Sequence, residues 1–232
     1  MCTLIINPSK AETISLDYFN NLWNNNPDGG GFAYVRGQRV EIVKEMHEPR
    51  LLWQRYADVR ANTPHPIMIH FRIGTQGGVN LHNTHPFRVH EGLTFAHNGV
   101  ITSAPYDKSA SDTALLVRDV LAKWPKDFIT RKGYAEALRY IAGSANKFAL
   151  LDSNGRTLIT NRHLFHEHQG SLYSNRGYEP ATWCNPVSPA RVYSYDPYDR
   201  EQWAKYAPAR IDHPKPKDGD YAGARRYFDG GL

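Results

Sequence analysis

The order in which apolar patterns follow one another constrains this chain more than any single residue does. A β-branched run at residues 3–6 closes on Asn7-Pro8 and reads as a buried strand. Ile14, Tyr18, Leu22 and Trp23 then recur near helical spacing within residues 11–24, and the breaker-rich stretch Asn24-Asn25-Asn26-Pro27-Asp28-Gly29-Gly30-Gly31 ends that helix. Residues 32–35 and 39–43 alternate around Gly37 as a hairpin. Leu52, Tyr56 and Val59 predict a second helix over 49–60, with Pro49 at its first position. Residues 66–72 and 93–97 read as strands, separated by a Gly/Asn/His-rich loop at 73–92 of a length that often accompanies function. Ser111 suits the cap of a helix running to Trp124, and another helix covers 131–142. Residues 147–151 and 156–160 flank Asn154-Gly155 as a hairpin, and 171–175 form a last short strand. Strand, helix, hairpin, helix is not the order of βαβ winding. It predicts an α+β chain with mainly antiparallel sheets covered by helices.

Composition narrows the possible partners. Of 232 residues, 41% are apolar and 12% aromatic, enough to build a core. The formal charge of +5 comes without blocks of like charge, so nucleic acid is not an expected partner. No apolar run approaches the ~20 residues of a membrane helix, and the N-terminus lacks the basic region of a signal peptide. Cys2 and Cys184 are the two cysteines, too few for a disulfide scaffold, which points to a reduced, cytoplasmic protein. After Cys184 the periodicity stops and prolines alternate with Tyr193, Tyr195, Tyr198, Trp203, Tyr206, Tyr221 and Tyr227. The expected organisation is one domain over 1–184 and an irregular Pro/Tyr-rich extension over 185–232. That extension either wraps the domain through its aromatics or docks on a partner.

Several segments carry chemistry-bearing groups. Removal of Met1 gives Cys2 a free α-amine beside its thiol, and an amine of reference pKa about 7.7–8.0 can take the thiol proton without a histidine. Arg72 stands where a strand turns into the Gly-rich loop and offers a planar fork of donors suited to a carboxylate. Asn98-Gly99 reads either as a tight turn or as a side-chain donor and a backbone N–H able to meet an oxyanion. Ser111-Asp112 at a helix start suits capping, or lends the Asp112 carboxylate to an ammonium group. Histidines gather at 70, 82, 85, 90 and 97 and at 163, 166 and 168. His82-x-x-His85 lies without an accompanying set of Asp, Glu or Cys, and His163, His166 and His168 read as a solvated segment, so neither a metal nor a cofactor is expected.

Taken in order, these segments resemble the class II glutamine amidotransferase domain of the N-terminal nucleophile hydrolases. The motifs are Met1-Cys2, Asn26-Pro27-Asp28-Gly29-Gly30-Gly31-Phe32-Ala33-Tyr34, His70-x-Arg72-x-x-Thr75-x-Gly77, Asn83-Thr84-His85-Pro86-Phe87, His97-Asn98-Gly99 and Ser111-Asp112-Thr113, and the likeness runs from residue 1 to about 180. The resemblance implies a four-layer αββα sandwich of two mainly antiparallel sheets. It implies that Cys2 attacks the side-chain amide of glutamine, that Asn98 and the Gly99 N–H form the oxyanion hole, that Arg72 clamps the substrate α-carboxylate and Asp112 its α-ammonium, and that Thr75 and Gly77 shape the pocket. His85 is then structural. Two departures stand out: Ala114 replaces the Glu that commonly follows the Asp-Thr pair, and residues 185–232 are too few for a synthase domain. The expected activity is a stand-alone glutaminase type, acting on glutamine or another γ-glutamyl amide, with ammonia released or delivered to a separate synthase partner. The alternative is a catalytically silent fold that serves as a binding or assembly module through its C-terminal tail.

Overall fold

The computed structural model describes residues 2–102 and 107–180; the 185–232 extension and Cys184 lie outside the described residues. Two antiparallel sheets lie face to face. The first holds β1 (Thr3–Asn7), β2 (Gly30–Arg36), β3 (Arg39–Glu45), β4 (Ile67–Phe71), β9 (His166–His168) and β10 (Ser171–Tyr173), in the order β3-β2-β4-β1-β10-β9. The second holds β5 (Phe87–His90), β6 (Leu93–Asn98), β7 (Lys147–Asp152) and β8 (Thr157–Ile159), in the order β5-β6-β7-β8.

Strand alternation sends successive residues to opposite faces, and three separate cores result. Ile5, Phe32, Ile69 and Phe71 point outward from the first sheet and pack under α1 (Leu16–Asn25) and α2 (Pro49–Asn62). Phe95, Phe148 and Leu150 do the same on the second sheet, under α3 (Asp112–Asp119) and α4 (Lys132–Ala142). Between the sheets lie Leu4, Ile6, Ala33 and Met68 from one side and Ala96, Ala149 and Leu151 from the other. The order of layers is therefore helix, sheet, sheet, helix, and the three inward alanines leave small volumes that let the sheets come together.

The glycines that open β2 have a steric cause at one position. Gly31 pairs with His70 of β4, and a Cβ on it would come within 2.5 Å of the His85 carbonyl oxygen and 2.8 Å of that of Val43. Backbone cannot yield there as a side-chain tip can.

Some boundaries depart from expectation. The first helix begins at Leu16 rather than near residue 11, because Ser15 Oγ caps it by accepting the Tyr18 N–H and the preceding Ile14 N–H is bound to the Tyr56 hydroxyl. The helix after Ser111 leaves α geometry at Val120 and continues as a 3-10 turn at Leu121–Lys123, which ends at Trp124, extended as the residue before Pro125 prefers. Two strands fall where none was expected. β5 lies inside the supposed loop 73–92 and pairs with β6 across an irregular register between Arg88 and His90. β9, in the His-rich segment read as solvated, is a three-residue edge strand paired with β10. β5 does alternate, with Phe87 and Val89 buried, but over only four residues inside a loop-like stretch, whereas β9 is three polar residues with no alternation.

Candidate active site

β1 and β4 run antiparallel with Thr3 opposite Phe71, which brings Cys2 to the end of β4. There the Cys2 thiol accepts the Ile73 N–H at 3.3 Å and lies 3.4 Å from the Ile73 carbonyl oxygen. Asn175 Nδ2 donates to the Cys2 carbonyl oxygen at 2.7 Å, and Asn175 Oδ1 in turn accepts the Thr3 hydroxyl at 2.8 Å. Burial pushes the thiol pKa up, against the Ile73 hydrogen bond and the nearby Arg72 charge, which lower it. At rest the group is a thiol and needs a base to become a nucleophile.

Arg72 is clamped at its backbone, donating its N–H to Gly29 O at 2.8 Å and accepting the Asp28 N–H at 3.0 Å. Its side chain is 2% exposed. Nη2 donates to Gln76 O at 3.1 Å, while Nη1 is buried with no hydrogen-bond partner. Burial lowers the guanidinium pKa, and Cys2, Asp28 and Asp112 oppose that shift. A buried cation with one bare edge is a ready anion site.

Asp112 opens α3, but Ser111 makes the cap, its Oγ accepting the Ala114 N–H at 3.2 Å. The Asp112 carboxylate instead accepts the Ile101 N–H at 2.7 Å on Oδ2, and the Thr113 N–H at 2.7 Å and the Thr113 hydroxyl at 3.1 Å on Oδ1. Oδ2 keeps a lone pair on a group that can take about four donors.

Three imidazoles crowd the same region. His70 donates its Nε2–H to His97 O at 3.0 Å, and burial pushes its pKa down to about 3. His85 stacks on it with ring centroids 4.0 Å apart, both of its nitrogens buried and unpartnered, and burial likewise holds it well below the ordinary histidine range. His97 Nδ1 lies 3.1 Å from Thr113 Oγ1 and its Nε2 lies 3.0 Å from Asn146 Oδ1; burial lowers its pKa too. These are neutral rings packed as structure. Among the described residues no cluster of three or more His, Cys, Asp or Glu is placed to hold a metal ion.

Asn98-Gly99 is not a hairpin turn: the hairpin between β5 and β6 is made at Glu91-Gly92, and Gly99 follows β6 with a φ of 145°. A side chain at Gly99 would collide with Asn146 Oδ1, which also accepts the Val100 N–H at 2.8 Å. Asn98 Nδ2 donates to Ser174 Oγ at 2.7 Å, leaving its Oδ1 buried and bare.

Cys2, Arg72, Thr75, His97, Gly99 and Asp112 share one cavity, with His85 in its wall. Asn98 is not in that lining, and neither is Gly77. Its φ of 69° and close approach to the Ser111 backbone place it where the 73–80 loop backs onto α3. The cavity leaves about 20 Å³, room for roughly one water. Sequence reasoning missed Asn146, Ser174 and Asn175, as well as the reach of Asn83, whose side chain ties Gly78 O, Ser109 O and the Ser111 N–H together. Asn83 had a signal in the motif it belongs to; the other three had none, because isolated Asn and Ser after strands or helices suit turns equally well.

A family model described as class II glutamine amidotransferases matches residues 1–166. No curated protein matches the chain. Among solved structures, the glutamine phosphoribosylpyrophosphate amidotransferase of B. subtilis, complexed with ADP and GMP, is 15% identical. The match covers 75% of this chain and 41% of that one, with a TM-score of 0.47. A second, described as the allosteric regulatory enzyme of purine biosynthesis, is 18% identical over 66% of this chain and 36% of its own, with a TM-score of 0.44. The chain thus spans less than half the length of either structure. No helix among the described residues is long and apolar enough to cross a membrane.

Proposed function

We propose, for a chain that belongs to the class II glutamine amidotransferases, that its domain hydrolyses the side-chain amide of glutamine through Cys2. The observation that carries this reading is that Arg72, whose buried Nη1 has no hydrogen-bond partner, lines the same cavity as Cys2 and Asp112. A nucleophile, a cation with one unbonded donor and an anion around one small space suit a substrate with a carboxylate, an ammonium and a reactive carbonyl.

In this mechanism Met1 is removed and the freed Cys2 amine takes the thiol proton. The thiolate attacks the amide carbon, and the carbonyl oxygen becomes an oxyanion facing Asn98 and the Gly99 N–H, where each donor contributes about 2.7–4 kcal/mol to the transition state. The protonated amine then gives its proton to the leaving nitrogen, and ammonia departs from a γ-glutamyl thioester. Water, deprotonated by the same amine, cleaves the thioester to glutamate. Arg72 binds the α-carboxylate with its fork and Asp112 the α-ammonium, so free glutamine is selected over a residue within a peptide. Thr75, in the cavity wall, borders the substrate; Gly77 acts at one remove, by holding the loop that carries Arg72 and Thr75 against α3. The ammonia is either released or passed to an acceptor supplied by a partner.

Ammonia release from glutamine, compared between the protein freed of Met1 and its Cys2→Ala variant, tests the proposal. Release that depends on Cys2 supports it; equal release from both ends it.

A further inference from the structure

Behind the cavity, just past β10, the Ser174 hydroxyl oxygen accepts two N–H donors at once: the Leu4 backbone at 2.8 Å and Asn98 Nδ2 at 2.7 Å. Ser174 is 2% exposed and Asn98 1%. A hydroxyl has two lone pairs and one proton. With both lone pairs taken, the proton has no acceptor, while the Asn98 Oδ1 beside it is buried without a donor. Two complementary groups are therefore left unmatched within one hydrogen-bonded cluster, which buried polar groups avoid.

A half-turn of the Asn98 amide exchanges its oxygen and nitrogen. The Ser174 O–H then donates to Oδ1, the Leu4 N–H keeps its acceptor, and Nδ2 is released in the direction Oδ1 held. All four groups are paired only when an acceptor lies beside the freed Nδ2. A tetrahedral oxyanion is such an acceptor.

We infer that Ser174 is a positioning residue for the reaction: its hydroxyl holds Asn98 Oδ1 so that Nδ2 faces the oxyanion. The inference rests on the amide-hydrolysis reading above. Ser174 touches neither substrate nor reacting atoms in this role and acts through Asn98. Its backbone N–H, bound to Leu4 O at 2.8 Å, also ties β1, and hence Cys2, to the same point. The side chain of one residue thus serves the oxyanion donor while its backbone serves the strand that carries the nucleophile.

A double-mutant cycle separates positioning from support of the fold. Ser174→Ala, Asn98→Ala and the pair are compared with the wild-type protein, all freed of Met1, for kcat and KM of ammonia release and for the rate at which iodoacetamide alkylates Cys2. Ser174→Ala is expected to lower kcat about tenfold or more, within the roughly 10²–10³-fold loss of removing the donor itself. KM is expected to stay within about twofold and alkylation of Cys2 at the wild-type rate. In the Asn98→Ala background the same change is expected to cost nothing further.

A wild-type kcat in Ser174→Ala overturns the inference. So does an equal loss in both backgrounds, which shows Ser174 acting through Leu4 and β1 alone, or a fall in alkylation that matches the fall in kcat. If Ser174→Ala does not fold, Ser174→Cys takes its place, with a weak donor in nearly the same volume, and the same non-additivity with Asn98→Ala is required. A wild-type protein whose ammonia release is independent of Cys2 overturns the function and this inference together, an outcome distinct from an active enzyme indifferent to Ser174.

Discussion

Replacing Arg72 by methionine keeps the length and the apolar stem of the side chain and removes the guanidinium. In the ligand-free protein that group is half-bonded: Nη2 meets Gln76 O at 3.1 Å and Nη1 meets nothing. Loss of the Gln76 bond costs about 1.5–3 kcal/mol, as expected for a charged donor, and relief of the bare buried donor returns about 1–3 kcal/mol. Asp28 and Asp112 keep their own donors, Asp28 taking the Gly74 N–H at 2.7 Å and Asp112 that of Ile101. The two changes cancel to within about 2 kcal/mol, a shift in Tm of no more than roughly 4–8 °C for a domain of this size. Binding behaves differently. A fork of two charge-assisted bonds to a carboxylate is worth about 3–6 kcal/mol, so kcat/KM for glutamine is expected to fall by roughly 10²–10⁴. Thermal unfolding of the ligand-free variant and steady-state ammonia release measure the two sides. A variant that loses more than about 3 kcal/mol of stability, as when a fully engaged buried ion pair is broken, refutes the view of Arg72 as a site for an anion. So does a nearly unchanged kcat/KM.

Two further outcomes follow from the same geometry. Gly99→Ala drives a methyl group into Asn146 Oδ1 at a φ of 145°, and is expected to lower kcat at least tenfold with little change in KM, measured as ammonia release; a change confined to KM contradicts the assignment of Gly99 to the oxyanion. Stability is expected to fall on acidification, because the folded pKa of His70, about 3, lies below the value of about 6.5 it has when unfolded, and His85 and His97 shift in the same direction. The unfolded chain then binds more protons below pH 6.5, so His70 alone removes about 1.4 kcal/mol per pH unit between pH 6.5 and about 3; urea unfolding midpoints that stay flat from pH 7 to 5 contradict this.

The layers of this fold were legible because the long strands carry their burial in their composition. Residues 67–71 and 93–97 read as strands since nearly every side chain in them is buried, and the antiparallel choice followed from the order of elements. The strand β9 was not legible, being three polar residues whose pairing is set by its neighbour, and β5 was overlooked because its alternation of buried Phe87 and Val89 spans only four residues within a Gly/Asn/His-rich stretch. At the site, Cys2, Arg72, Asn98, Gly99 and Asp112 were each ambiguous taken singly, and were singled out together because their motifs resemble, in order, those of the class II domain. The fold brings Cys2 and Arg72 together through the β1–β4 register, which no spacing along the chain reveals. Ser174, Asn175 and Asn146 escaped notice for the same reason: each meets its partner across 49 to 173 residues. Gly77 was legible as a turn residue, and its place behind the cavity wall depends on how that turn meets α3.

The covalent state of Cys2 during turnover tests the central claim most directly. Protein freed of Met1 is mixed with glutamine, quenched in acid within the first turnovers, and the mass of its N-terminal peptide is measured. The account predicts a glutamyl group added to Cys2 through a thioester, absent from Cys2→Ala and lost on treatment with hydroxylamine. An N-terminal peptide that lacks Met1 and stays unmodified while ammonia is released would contradict it.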